Sequence, residues 1–312
     1  MKVAVLQGGR SLERGVSLRS GARVSEALAM TGHHVVEIDP GPDLVRKLEA
    51  ERPDVAFIAL HGVDGEDGTI QALLDLLAIP YTGPGAASCH RCMDKVLAKH
   101  LLREAGLPTP DWITYSEAAI RDFGAAATFS RAIERIGLPV VAKPASQGSS
   151  LGIKVVRDRA ELPGALITAL SYDSRALLER FVDGRELTVS VVGGEVLPVL
   201  EVITHGGEGF DFAARYEVGG AGFRSPADLD PGLSAEIQRI GLASWEALGC
   251  EGFARVDLML GADGPSVLEI NAVPGLTETS LLPQAAEAAG MGFRDLIGRL
   301  IDLALQRGTG GS

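Results

Sequence analysis

Apolar positions follow two rhythms along the first part of the chain. The runs KVAVLQ (2–7), HVVEID (34–39) and DVAFIAL (54–60) are short and apolar, as buried strands are. Between them, segments 17–32, 43–51 and 67–78 space their apolar residues as helices do. The first of these carries Val24, Leu28 and Met30 and stops at Gly32. Strands alternating with short helices predict a parallel sheet covered on both faces. Ligands of such sheets gather beyond the carboxyl ends of the strands. Two loops fall there, GGRSLERGVS (8–17) after the first strand and HGVDGEDG (61–68) after the third. The stretch AASCHRCMDKVLAKHLLREAG (86–106) reads as one helix.

The pattern then changes. LPTPDW (107–112) has two prolines that block helix, and reads as a linker. LPVVAK (138–143) and LGIKVV (151–156) read as a hairpin with a Gly/Ser tip. A helical segment over 159–171, interrupted near Pro163, and a strand RALLERF (175–181) follow. A third unit begins near Asp183 with a hairpin over 186–203 around Gly193 and Gly194. The glycine-rich stretch 206–226 has little periodicity and reads as a functional lid or a disordered segment. A helix (234–249), a second hairpin (253–271) and two closing helices (280–290 and 293–308) complete the chain. The expected fold class is α/β and α+β: a parallel α/β unit (1–92), a central unit (93–182) and a β-rich unit (183–312).

Composition narrows the function classes. At 312 residues the chain is too long for one ordinary core, and 46% hydrophobic with 22% charged residues is globular rather than disordered. A net charge of −12 argues against nucleic acid or an anionic membrane as partner. No apolar run has membrane-spanning length, and MKVAVLQGG reads as strand and turn rather than signal peptide. Three cysteines build no disulfide framework, so a cytoplasmic protein is expected. Cys89 and Cys92 form a C-x-x-C without a second ligand pair, which favours a structural role over zinc or redox chemistry.

The hairpin 253–271 carries the candidate chemistry. Side chains alternate across a strand. If Asp257 faces Glu269, then Arg255 faces Asn271, and all four share one side, with GADG supplying an odd-numbered loop. Val256, Leu258, Val267, Leu268 and Ile270 would cover the other side. Two carboxylates and an amide oxygen suit magnesium, which fills its remaining positions with water and phosphate. Lys143 ends an apolar strand, and nucleotide phosphate would give its charge a partner. The loop AKPASQGSSLG (142–152) can close over phosphates through backbone N–H groups, although the pattern G-x-x-x-x-G-K-[ST] occurs nowhere.

Eight blocks stand in one order: GGRSLERGVSL, ALHGVDGEDGTIQALL, PYTGPGAAS, MDK, LPVVAKPASQGSSLGI, RYEVGGAG, ARVDLML and LEINAVPGLTETSLLP. In these the chain resembles the D-alanine–D-alanine ligases of the ATP-grasp superfamily, over nearly its whole length. The resemblance implies an ATP-grasp fold and the cofactors ATP and Mg2+, with Mn2+ as a substitute. Lys95 and Lys143 would meet the α- and β-phosphates, and the loop bearing Ser149 would form the flap over them. LLERF (177–181) would supply backbone contacts to adenine, with Glu179, Arg180, Phe181 and Val182 in the nucleotide-binding set, Glu186 would bind ribose, and Arg215 the γ-phosphate. Asp257, Glu269 and Asn271 would hold the metal. Glu13 would pair with the ammonium of the first D-alanine, tied by Ser149 and Tyr216 to flap and lid, with His61 nearby. Arg255 and the N–H of Gly275 would face the oxyanion, and Ser280 with the N–H of Leu281 the carboxylate of the second D-alanine. The implied reaction makes an acyl phosphate and then a dipeptide for peptidoglycan, in a homodimer. Arg215 and Phe212 stand where lysine and tyrosine are usual, FRSPADL replaces a cysteine–proline pair, and Glu278 adds an anion near the second subsite.

Three other readings compete. A dinucleotide-binding dehydrogenase lacks its G-x-G-x-x-G after the first strand. Another carboxylate–amine ligase of the same superfamily would differ only at subsite residues such as Glu13, Tyr216, Glu278 and Ser280. A nucleotide sensor without turnover would not need Arg255 beside the acidic set.

Overall fold

A computed structural model describes residues 1–204 and 221–310. Its first sheet is parallel and joins β1 (Lys2–Leu6), β2 (His34–Ile38) and β3 (Val55–Ile58) in the order β2-β1-β3. Both faces of β1 are covered, since Val3, Ala4, Val5 and Leu6 are all buried. That is why its sequence is continuously apolar rather than alternating. The helices Arg14–Met30, Leu44–Glu51 and Thr69–Leu76 alternate with these strands as the periodicity predicts.

The second sheet is antiparallel and joins β4 (Trp112–Ser116), β5 (Val140–Pro144), β6 (Lys154–Val156) and β7 (Arg175–Arg180) in the order β4-β7-β5-β6. Residues 140–156 form the expected hairpin, with Val140 opposite Val156. The linker is shorter than its sequence suggests, because Trp112 already pairs with Glu179. Pro163 starts a helix rather than interrupting one. It lies in the first turn of Leu162–Leu170, where its missing N–H costs nothing.

The third sheet joins β8 (Gly184–Val192), β9 (Glu195–Val196), β10 (Leu200–Thr204), β11 (Ala221–Arg224), β12 (Phe253–Gly261) and β13 (Gly264–Asn271). Its order is β11-β10-β8-β12-β13, with β9 on β8. The helices Pro231–Ala247, Leu281–Ala288 and Phe293–Gly310 accompany it. Residues of the first and third sheets, such as Phe57 and Val256, belong to one continuous hydrophobic core, while the middle sheet keeps its own around Val140, Leu166 and Leu178.

Further expectations need correction. Residues 86–106 form two helices, Ala86–Met93 and Lys95–Glu104. Asp94 breaks the run: its backbone is extended (φ −82°, ψ 96°), and its carboxylate accepts from the N–H groups of Val96 and Leu97. A capping aspartate offers those N–H groups a partner that a continuing helix would not. The β12–β13 loop is also even, with only Ala262 and Asp263 between the paired Gly261 and Gly264. The odd residue is a bulge at Leu268, after which Asp257 faces Glu269 and Arg255 faces Asn271 as expected. Leu268 consequently lines a cleft on the polar side instead of joining the apolar face. Among the described residues no helix is long and apolar enough to cross a membrane.

Candidate functional site

Cross-strand partners share a face. Across β8, β12 and β13 the register therefore sets Ser190, Arg255 and Asn271 in one row and Thr188, Asp257 and Glu269 in the next. Glu186 and Met259 continue the same face. Arg255 forks onto both oxygens of Asp257 at 2.7 Å, and Asn271 Nδ2 donates to Asp257 Oδ2 at 3.1 Å. Glu269 meets Lys95 at 3.1 Å. The hydroxyls of Thr188 and Ser190 are buried and find no hydrogen-bond partner among the described residues.

One cleft of about 410 Å³ opens beside this face, lined by Glu13, His61, Glu66, Ser149, Arg255 and Gly275 among others. Glu13 sits just ahead of the helix Arg14–Met30, whose first N–H groups bond its carbonyl. Its carboxyl is buried and pushed up to about 7, first by desolvation and then by Glu66. A hydrogen bond from Ser149 and the charges of His61 and Lys95 work against that rise. Ser149 and Ser150 hold φ of 52° and 59°, strain of the kind that accumulates where a loop serves a ligand. A Cβ on Gly148 would come within 2.8 Å of Glu13 Oε1, so the flap backbone lies close against that carboxylate.

His61 is fixed on every side. Its Nδ1 lies 3.3 Å from Glu66 Oε1 and 3.2 Å from Val273 O, both acceptors, so Nδ1 carries a proton. Its Nε2 lies 3.1 Å from Ser20 Oγ, which also accepts from the N–H of Leu276. The first strand's helix, the loop after β3 and the segment after β13 thus meet at one imidazole.

A second cleft of about 380 Å³ lies between the middle and third sheets, lined by Lys143, Ile153, Glu179, Arg180, Phe181, Val182, Met259 and Leu268 among others. Lys143 meets Glu179 Oε2 at 2.6 Å, and Lys99 contacts the other oxygen of that carboxylate. Burial alone would raise Glu179, but Lys143 and Lys99 outweigh it and hold the carboxyl below its usual range. The N–H groups of Arg180 and Phe181 already donate to Asp111 O and Pro139 O, so those two donors are spent within the protein. Lys95 lines a pocket with Glu66, Glu269 and Asn271 beside the first cleft, and donates to Gln147 O of the flap at 2.6 Å.

Of the residues singled out in the sequence, Glu13, His61, Ser149, Arg255, Glu269, Asn271 and Gly275 line the first cleft, with Asp257 behind Arg255. Ser280 stands at its edge, within 2.8 Å of where a Cβ of Gly275 would be, and starts the helix that Leu281 opens. Lys143 and residues 179–182 line the second. Arg215 and Tyr216 lie outside the described residues. Glu66, Lys99 and Ser20 were not singled out; Glu66 stood in the loop after the third strand, while nothing local marked the other two. The C-x-x-C does not act as a pair, because Cys92 Sγ faces Cys250 Sγ at 3.5 Å and Cys89 faces Pro84 O. Among the described residues no group of three His, Cys, Asp or Glu could hold a metal.

The family model for the D-ala D-ala ligase C-terminus matches residues 101–302, and that for the N-terminus matches residues 41–84. A D-alanine--D-alanine ligase of Synechococcus sp. (strain JA-3-3Ab) is 42% identical over 98% of this chain and 94% of its own. That of Moorella thermoacetica is 41% identical over 98% of this chain and 100% of its own. The crystal structure of D-alanine--D-alanine ligase from Bacillus anthracis superposes with a TM-score of 0.86 at 35% identity, covering 99% of both chains. The same enzyme complexed with ATP gives 0.85 at 33%, again over 99% of both chains. Similarity that runs from end to end leaves no segment for another architecture, and the chain belongs to the D-alanine–D-alanine ligase family.

Proposed function

We propose that the chain joins two D-alanines at the expense of ATP, releasing ADP and phosphate and supplying a peptidoglycan precursor. The observation that carries this reading is the polar face of Arg255, Asp257, Glu269 and Asn271, which borders the first cleft, while Met259 and Leu268 of the same two strands line the second. In this reading the base and ribose of ATP occupy the second cleft, against Phe181, Val182, Met259 and Leu268, with Glu186 at the ribose end. The phosphates run toward Lys143 and Lys95, and the flap 145–153 covers them.

Asp257, Glu269 and Asn271 fit Mg2+ or Mn2+, because hard cations take oxygen donors and the orphaned Thr188 hydroxyl gives the same face spare polar capacity. Such an ion supplies charge neutralisation to the triphosphate. The protein's own groups do the rest. Glu13, once ionised, holds the ammonium of the first D-alanine, and His61 fixes the wall beside it. Arg255, held by its fork on Asp257, turns the guanidinium N–H groups outside that fork to the oxyanion together with the N–H of Gly275. Ser280 and the N–H of Leu281 begin a helix whose first N–H groups suit the carboxylate of the second D-alanine. The same reading divides the chain into a substrate unit (1–92), a nucleotide unit (93–182) and a metal-bearing unit (183–312). It makes the protein a cytoplasmic homodimer that needs neither nucleic acid nor membrane.

The test is phosphate release from Mg-ATP. D-alanine should support turnover, L-alanine should support little, and D-alanyl-D-alanine should accumulate with phosphate in equal amounts. Release with another pair of amino acids but none with D-alanine would move the chain to a different ligase specificity.

A further inference from the structure

Lys99 is a fully buried cation that the proposed chemistry leaves unused. It stands one turn after Lys95 on the helix Lys95–Glu104. Its ammonium contacts Glu179, donates to Thr109 Oγ1 at 2.6 Å and lies 3.3 Å from Pro110 O. Thr109 in turn donates to Val267 O at 2.9 Å, which anchors the arrangement to β13. Three acceptors therefore hold Lys99 at a point behind Glu179 where no ligand reaches. Lys143 is placed differently: it meets the other oxygen of Glu179 but lines the second cleft.

The cluster buries two ammonium groups against one carboxylate. Desolvation lowers Lys99 to about 8, Glu179 opposes the drop, and Lys143 adds to it. A buried cluster with one charge in excess is unfavourable. An anion entering from the cleft would resolve it into two neutral pairs, Lys99 with Glu179 and Lys143 with the anion. Without Lys99 the same event would strand a buried carboxylate, so Glu179 would compete with the ligand for Lys143.

The geometry points to Lys99 as a positioning residue for the nucleotide: it keeps Glu179 in place when Lys143 turns from that carboxylate to a phosphate. The inference rests on the nucleotide reading of the second cleft. It is tested by calorimetric affinity for Mg-ADP in the wild type, Lys99→Met, Glu179→Gln and the double variant. Lys99→Met should weaken Mg-ADP at least about tenfold, the usual direction when one member of a buried ion cluster is removed. On the Glu179→Gln background the same change should cost less than about threefold, because no carboxylate remains to retain Lys143. In turnover, KM for ATP should rise with Lys99→Met while kcat stays within about threefold, as for a loss of uniform binding. No loss, or an equal loss in both backgrounds, overturns the proposal. Lys143→Met gives a second measurement that holds even if Lys99→Met does not fold. Melted without ligand, it should stay within about 3 °C of the wild type, since Lys99 still neutralises Glu179. A larger fall shows that Lys99 cannot hold the carboxylate alone, which also overturns the proposal. A wild type that binds no Mg-ADP would instead refute the nucleotide reading itself.

Discussion

Glu13 shows how one buried side chain couples acidity, stability and binding. Its carboxyl titrates near 4.5 in the unfolded chain and about 7 in the folded one. The folded state therefore holds the proton more tightly. Its contribution is fully present below the unfolded value and is lost as pH rises through about 7. Glu13→Gln should then stabilise the protein at pH 8 by on the order of 2 kcal/mol and change little at pH 4, measured by denaturant midpoints. The same substitution should lower kcat/KM for D-alanine by about a hundredfold or more, because an amide oxygen accepts from an ammonium but does not neutralise its buried charge. In the wild type, kcat/KM for D-alanine should fall as pH drops below about 7, where Glu13 takes up its proton. A flat profile there, with Glu13→Gln no more stable at pH 8, would remove Glu13 from the site. Sequence alone could suggest Glu13 from its place after β1. It could not supply the shift, which comes first from burial and then from Glu66, against the opposing pull of Ser149, His61 and Lys95, groups brought in from three other segments.

At the scale of elements, the hairpin β12–β13 was readable in part: strand alternation puts Arg255 with Asp257 on one face and Glu269 with Asn271 on one face, whereas the pairing of Asp257 with Glu269 depends on the register. The bulge at Leu268 was not readable, since its neighbours Val267 and Leu268 are equally apolar and carry no turn signal. Asp94 escaped for a similar reason: helical spacing continues across it, and periodicity is blind to a side chain that caps. Yet that break aims Lys95. The N–H of Lys95 donates to Ala145 O at the root of the flap, and Asp94 also meets Arg175 at 2.7 Å. Asp94→Ala removes both the cap and the ion pair and should cost about 1–2 kcal/mol of stability. It should also raise KM for ATP more than KM for D-alanine, because Lys95 moves with the helix start. Asp94→Asn retains a capping oxygen and should lose less than half as much. Equal effects on both KM values would mean that the break serves packing and not the nucleotide.

Across the whole molecule the hydrophobic core divides in two, although three sheets are present. The first and third sheets share one cluster, crossed by contacts such as Cys92 with Cys250 and the backbone of Gly249 with Ser88. No local pattern announces such pairings, because they join residues more than a hundred positions apart and each side is merely apolar or small. The middle sheet packs instead on its own helices, through Val140, Ala142, Leu166 and Leu178. Its links to the rest include the ion pairs of Glu179 with Lys99 and of Arg175 with Asp94, and Glu179 lines the second cleft. A unit with its own core and polar borders opens at lower free energy than the parts that share one. Hydrogen exchange followed by mass spectrometry should therefore show segment 112–180 exchanging as one group, ahead of β1, β8 and β12. Mg-ADP should slow that group most, because the proposed ligand bridges the middle and third sheets and is bound only when they are closed on each other. Exchange that is uniform across all three sheets, or slowed by Mg-ADP equally in β1 and β7, would mean that the two cores act as one cooperative body. Nucleotide binding would then have no hinge at the middle sheet to work against.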